Sequence, residues 1–183
     1  MDELIDIVTQ DGKPTGQIAT KQEIHTQGHY HNTAHVWLYT SSGEVLLAQR
    51  SYSKSICPGL WDVSVAGHVD AGERIEQAAV REVREEIGLQ LSETDLEKIG
   101  VFECFQSYDN GIQDNEFHHT FMAQLKVDLD KLTPHPQEVE ALKLVPFESL
   151  DKLLEASKSN QHFVASNSRY YQLIFETLKH QVL

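Results

Sequence analysis

The segment GHVDAGERIEQAAVREVREEIGL, residues 67–89, constrains this chain more than any other. From Arg74 to Ile87 it holds no glycine or proline, and Gly88 supplies a stop, so the spacing predicts a helix over 74–88. Glu82, Glu85 and Glu86 stand three and four residues apart and share one side of that helix, within an arc of roughly 100°. Ile75, Ala79, Val83 and Ile87 form an i+4 apolar stripe whose edge overlaps that arc. Acids meant only for water would lie opposite such a stripe. The ordinary alternative is a solvated helix laced by ion pairs with Arg74, Arg81 and Arg84. Against it stand the mutual repulsion of three carboxylates and a fourth, Glu73, delivered by the glycine-rich approach GHVDAG. A hard dication such as Mg²⁺ or Mn²⁺ takes oxygen ligands of this kind and offsets the repulsion.

Around this helix the pattern is β-rich. ELIDIV at 3–8 reads as a first strand, and the turn DGKPTG at 11–16 leads to a second near 17–19. Residues 20–26 read as a short helix. AHVWLYT at 34–40, the turn SSGE and EVLLAQR at 44–50 read as a hairpin, and WDVSVAGHV at 61–69 as one strand. Further strands are expected at 99–106 and 116–126. FESLDKLLEAS reads as a helix, and SRYYQLIFETLKHQVL places Tyr171, Leu173, Ile174, Leu178 and Val182 at close to helical spacing. The sum is an α+β chain of 183 residues in which helices cover a twisted sheet, with no internal repeat and no linker that reads as a boundary.

Charge and cysteine content narrow the partners. Fifteen basic against 28 acidic residues give a net charge of −13, a poor surface for nucleic acid or anionic lipid. Anionic small molecules stay open, because a bound dication reverses the local field. No run approaches the roughly 18 apolar residues that cross a bilayer, and no secretory signal opens the chain. Cys57 and Cys104 form no CxxC pair, so a reducing, cytoplasmic setting is expected. Seven of the ten histidines fall in three short stretches: His25, His29, His31 and His35; His68; and His118 and His119.

Residues 67–89 resemble the signature of the Nudix hydrolases, GX5EX7REUXEEXGU with U aliphatic. Gly67, Glu73, Arg81, Glu82, Val83, Glu85, Glu86, Gly88 and Leu89 fill every fixed position. The resemblance implies a Nudix fold, a mixed β-sheet sandwiched between helices, as a single domain over 1–183. Its N-terminal extension would run to about residue 32 and its C-terminal helix over about 167–181. The resemblance also implies Mg²⁺ or Mn²⁺ on Glu85 and Glu86, with Glu82 as a ligand or as the base that activates water. Glu73 and Arg81 would brace the loop, and the Gly67 carbonyl would reach the metal. The substrate would be a small-molecule diphosphate, and analogy alone would make the protein a homodimer. The chemistry is coherent without the name: metal ions neutralise a diphosphate, orient it and lower the pKa of bound water.

Outside the box, residues 5–150 are similar to one branch, the Nudix-type isopentenyl-diphosphate isomerases and the hydrolases akin to them. GKPTG, Lys21 with His25, His31 before Trp37, QRSYSKSICPGLWD, SVAGH and DNEF carry this similarity. It implies a second divalent metal on His25, His31, His68, Asp114 and Glu116, and phosphate binding by Lys21, Arg50 and Lys54. The alignment is one residue short between His25 and His31, which leaves His29 as a substitute for either. Imidazoles with two carboxylates suit Zn²⁺, Mn²⁺ or Fe²⁺ better than Mg²⁺. Glu116 is a metal ligand or general base on this reading.

Two departures oppose isomerisation. Ala66 stands where the isomerases carry their catalytic cysteine and has no proton to give or take. The box is also complete, whereas theirs is degenerate. A non-catalytic nucleotide sensor is the rival from another class, but such sensors usually lose box acids and gain a second domain. His118 and His119 are strand neighbours that point to opposite faces and cannot share one ion. His135, His162 and His180 read as ordinary surface residues, Arg50 and Lys54 as loop cations, and Trp61 as core. Tyr170, Tyr171, Leu173 and Ile174 are expected to pack the last helix on the sheet.

Overall fold

A computed structural model describes residues 3–160, 163–164 and 168–181. His162, Val182 and residue 167 at the expected start of the last helix lie outside them. The strand that organises the molecule is β3 (Tyr30–Tyr39). Ala34, Val36, Trp37 and Leu38 are fully buried, so both of its faces are covered, as in the middle strand of a layered fold. Along its whole length it pairs in parallel with β8 (Gln113–Gln124), from Tyr30 opposite Asn115 to Tyr39 opposite Gln124. Its other edge takes β6 (Val65–His68) antiparallel, Thr33 opposite His68 to Val36 opposite Val65. β7 (Glu97–Ser107) extends the sheet beyond β8.

The expected hairpin between β3 and β4 (Glu44–Arg50) forms only at its mouth, where Tyr39 faces Val45. The two strands then part. The hydroxyl of Ser64 sits in the fork, accepting from Leu38 N–H at 2.8 Å and donating to Leu46 C=O at 2.5 Å. Those are the two groups a continued hairpin would pair with each other. Beyond the fork β6 occupies the edge of β3, and β4 pairs instead with β9 (Val139–Pro146) and β5 (Trp61–Asp62). The same serine explains why 61–69 is two strands rather than one: the chain crosses there from β4 to β3.

Helix α2 (Ile75–Ile87) covers one face of the sheet. Its Ala78, Ala79, Val83 and Ile87 pack on Ala34, Val36, Leu38 and Val65. At its start the Gln77 side chain accepts from the Arg74 backbone N–H, and Gly88 ends it with φ +73°, a left-handed turn that glycine adopts at least cost. The other face carries α3 (Leu150–Asn160) and α4 (Ser168–Gln181), with Tyr170, Tyr171, Ile174 and Phe175 against Trp37 and Leu47. Leu173 is the exception to the expected packing, 43% exposed, because it turns outward one step from Ile174. Trp61 is half-buried, with the Lys143 ammonium 3.8 Å from its ring centre. Outside these layers stands the hairpin β1 (Leu4–Val8) and β2 (Pro14–Thr20), with α1 (Lys21–Gln27). Thr20 and Glu23 form a capping box for α1. Ile5, Ile7 and Ile24 form a small core of their own there. No helix among the described residues is long and apolar enough to cross a membrane.

Candidate functional site

Arg81 is the hub of the loop and helix at 67–89. Its Nε donates to Glu73 Oε1 at 3.0 Å and its Nη2 to Glu73 Oε2 at 2.8 Å. Nη2 also donates to the His68 carbonyl, and Nη1 to Glu82 Oε1 at 2.7 Å and Glu85 Oε2 at 3.2 Å. One guanidinium thus joins the loop, β6 and the acidic face of α2. The three acids of that face are not equivalent. Glu85 is half in water and also pairs with Arg84, as in an ordinary charged helix. Glu82 and Glu86 point inward. Burial pushes Glu82 up to about 7 against the pull of Arg81, and burial with the charge of Glu82 pushes Glu86 well above the carboxylate range. Gly67 lies under this pair: a methyl group on it would overlap the Glu82 carboxylate.

A second group converges at the start of β3 and β8. The ring atoms of His25, His31 and His68 and the carboxylate of Glu116 lie within 4.8 Å of one another. In each imidazole one nitrogen is already committed. His25 Nδ1 is 2.7 Å from the Lys21 carbonyl and His31 Nδ1 is 3.0 Å from that of His29. His68 Nδ1 is 3.2 Å from Glu3 Oε1. A carbonyl only accepts, so Nδ1 of His25 and of His31 carries the proton and leaves a lone pair on Nε2. His31 Nε2, His68 Nε2 and Asp114 Oδ1 are buried without a hydrogen-bond partner. His25 Nε2 faces Asp114 at 3.4 Å and His31 Nε2 faces Glu116 at 3.6 Å. Imidazoles held at one nitrogen with the other aimed at carboxylates are the arrangement a divalent transition metal uses. His29 stays out of the group, its ring turned to Gln27 Oε1 at 3.1 Å, because it follows the left-handed Gly28 that ends α1.

Both groups open on one cleft of about 1360 Å³. Its lysines and arginines are Lys21, Arg50, Lys54 and Arg81, and each has a carboxylate partner. Lys21 pairs with Glu3 at 2.9 Å, Arg50 with Asp62 at 3.2 Å and Lys54 with Glu138. Arg50 closes β4 and its Nε is bonded to the Ile56 carbonyl, so of the two readings open for it, phosphate binding or a solvated loop cation, the second does not describe it. Glu3, Asp62 and Glu138 were not apparent as site residues. Their partners lie on distant segments, and an isolated acid in a chain this acidic carries no signal. Glu3 is held down at about 2: burial works against this, and the hydrogen bond and charge of His68, with those of Lys21, prevail.

Further residues also escaped the sequence reading. His118 Nε2 lies 2.7 Å from Glu116 Oε2, and the His118 ring stacks on His35 with centres 3.9 Å apart. His35 Nδ1 is 3.1 Å from the Tyr170 hydroxyl, which accepts from Trp37 Nε1 at 2.9 Å. Parity was the available signal. His31 and His35 are an even number of residues apart on one strand, as are Glu116 and His118 on its neighbour, so each pair shares a face. His119 points the other way, toward Asn32.

Residues 29–166 match the model of the NUDIX domain family. Over 168 residues the chain is 36% identical to Nudix hydrolase 3 of Arabidopsis thaliana, covering 89% of this chain and 21% of that protein. It thus spans about a fifth of that relative's length. It is 33% identical over 147 residues to an isopentenyl-diphosphate Delta-isomerase of an Enterobacter species, covering 78% of each. The crystal structure of DR0079 from Deinococcus radiodurans superposes with a TM-score of 0.71 over 93% of this chain at 20% identity, a likeness of fold. With helices on both faces of a mixed sheet and every fixed position of the 67–89 signature filled, the chain belongs to the Nudix family.

Proposed function

We propose that this chain is a divalent-metal-dependent hydrolase of a diphosphate linkage, in a nucleoside-diphosphate derivative or a related organic pyrophosphate. One observation carries the reading: every lysine and arginine of the cleft is already paired with a carboxylate, Arg81 is shared among Glu73, Glu82 and Glu85, and Glu86 is buried with no ion pair among the described residues. A cation that turns from its carboxylate to a diphosphate leaves that carboxylate behind, so the net charge of the substrate is left for metal to balance. Glu82, Glu85 and Glu86 would hold Mg²⁺ or Mn²⁺ with the Gly67 carbonyl, and His25, His31, His68, Asp114 and Glu116 a second divalent ion. The orphaned Nε2 atoms of His31 and His68 fit that second ion. When bound, the ions supply charge neutralisation and an acidified water.

The chain's own residues do the rest. Glu73 fixes Arg81, and Arg81 holds the Glu82 carboxylate in place at 2.7 Å. Glu82, near neutrality in pKa, or Glu116 across the cleft takes the proton as water attacks phosphorus. The P–O bond of the leaving phosphate then breaks. Lys21, Arg50 and Lys54 line the approach and would exchange their carboxylate partners for phosphate oxygens. Isomerisation is the second reading, favoured by the identity to the Enterobacter isomerase. It is opposed by Ala66, whose methyl lines the cleft where a proton donor is needed.

Phosphate and nucleotide release from a panel of nucleoside di- and triphosphates, nucleotide sugars, dinucleotides, coenzyme A and isopentenyl diphosphate tests this. Turnover with Mg²⁺ or Mn²⁺ that disappears in Glu86→Gln supports the hydrolase. Metal-independent binding without turnover favours a sensor, and conversion of isopentenyl diphosphate to its allylic isomer refutes the argument from Ala66.

A further inference from the structure

The unused side of Glu116 has its own set of donors. Glu116 Oε1 faces His31, and Oε2 faces His118. His35, Glu116 and His118 each offer an atom within 4.8 Å of the others, a group distinct from the one at His25, His31 and His68 except for the shared carboxylate. All three lie in the sheet interior: His35 is 8% exposed and His118 4%. The parallel register that sets His31 beside Glu116 sets Thr33 beside His118 and His35 beside Thr120, so the two groups are successive tiers of one ladder.

The surroundings of the second tier are those of metal ligands. His35 Nδ1 is engaged by the Tyr170 hydroxyl, which is itself held by Trp37, so the ring is oriented beside Glu116 and His118, with one ligand atom of each within 4.8 Å of the others. Cys104 is the register partner of Glu116, with one residue pair of the ladder between them and the pair of Phe102 with His118. Two imidazoles, a carboxylate and a neighbouring thiol are a borderline-soft donor set suited to Zn²⁺, Co²⁺ or Fe²⁺ rather than Mg²⁺. His118 Nε2 and Glu116 Oε2 lie 2.7 Å apart, and an entering cation would take the place of that contact.

The geometry points to a second transition-metal site on His35, His118 and Glu116 Oε2, bridged through Glu116 to the ion held by His25, His31 and His68. It rests on the reading of that first group as a metal site. Its consequence is two ions sharing the Glu116 carboxylate on the cleft that His35, Glu116 and His118 help to line, where both could act on one phosphate.

The test is a count of Co²⁺ retained by stripped and reloaded full-length protein after gel filtration in excess Mg²⁺, which fills the carboxylates of α2. The wild type is expected to keep one ion per chain more than either His35→Asn or His118→Asn, with a Co²⁺ spectrum that shows exchange coupling lost in both variants. Tyr170→Phe, which leaves every ligand in place, is expected to weaken the second ion about tenfold and spare the first. Equal retention by wild type and both histidine variants, together with unchanged affinity in Tyr170→Phe, overturns the proposal. His25→Asn separates it from the reading on which it rests. If that variant keeps every ion while His35→Asn loses one, the first site fails and the second stands.

Discussion

Substituting Gly67 by alanine probes the active geometry with a single methyl group. Gly67 pairs with Ala34 inside the sheet, so its backbone cannot withdraw without breaking the β3–β6 ladder. The added methyl would lie within the van der Waals envelope of the Glu82 carboxylate. Ordinary carbon contacts are about 3.5–4.0 Å, so the carboxylate has to retreat by more than about 1 Å. That movement breaks the 2.7 Å bond from Arg81 and leaves the arginine to Glu73. The stability cost is modest, about 0.5–1.5 kcal/mol for an off-rotamer side chain. The functional cost is larger, because a misplacement of about 1 Å at a reacting group loses about 100-fold in rate, or about 2.7 kcal/mol of transition-state stabilisation. Urea unfolding of Gly67→Ala should therefore stay close to wild type. Mn²⁺ affinity by calorimetry and turnover on the best panel substrate should both collapse. Turnover within threefold of wild type at unchanged stability would refute the assignment of Glu82 to the reaction.

Ser64→Ala removes the hydroxyl between the Leu38 amide and the Leu46 carbonyl, leaving two buried groups unpaired, and is expected to cost about 1–3 kcal/mol in urea unfolding. A neutral effect would mean that the hairpin closes directly across the gap. Glu3 has a folded pKa of about 2 against an ordinary 4.5, so its stabilisation is complete above pH 4.5 and is lost as pH falls toward 2. The stability gap between the metal-free wild type and Glu3→Gln should shrink over that window, and a gap independent of pH would contradict the pairing with His68. Mn²⁺ at about 100 times its dissociation constant should stabilise the stripped protein by about 2.7 kcal/mol, read as a rise in melting temperature. An unchanged melting curve would count against both metal groups.

How much of this was legible in the sequence varied with the range of the interaction. Helix α2 was readable because its stripe of Ala79, Val83 and Ile87, its glycine stop and its acids all lie within 23 residues. The departure of β4 from β3 was not, since it depends on Ser64 reaching two strands at once and on β6 reaching the edge of β3 first. Parallel pairing of 30–39 with 115–124 has no local signature, and it is this pairing that sets His31 beside Glu116. Resemblance supplied the histidine group where periodicity could not. It did not extend to His35, His118 or Tyr170, for which face parity was the usable clue. Glu3, Asp62 and Glu138 became visible only as partners of His68, Arg50 and Lys54.

The small separate core of Ile5, Ile7 and Ile24 gives the molecule an uneven mechanical character. Glu3 and His25 belong to the lobe built on those three side chains, which joins β3 at Val8 with Tyr30 and the loop after β6 through the Ile5–Asp70 bridge and the Ala71 N–H bond to the Leu4 carbonyl. His31, His68 and Glu116 belong to the central ladder. An ion shared between His25 and the other three would act as a rivet between a lobe with its own small core and the central frame. Its departure would release the lobe and leave the frame standing, so ion exchange and lobe opening become one event. Loading with Mn²⁺ should accordingly slow amide exchange across residues 4–27 and leave the already protected pairs of β3 and β8 unchanged. The N-terminal hairpin would then govern how long the protein keeps its metal.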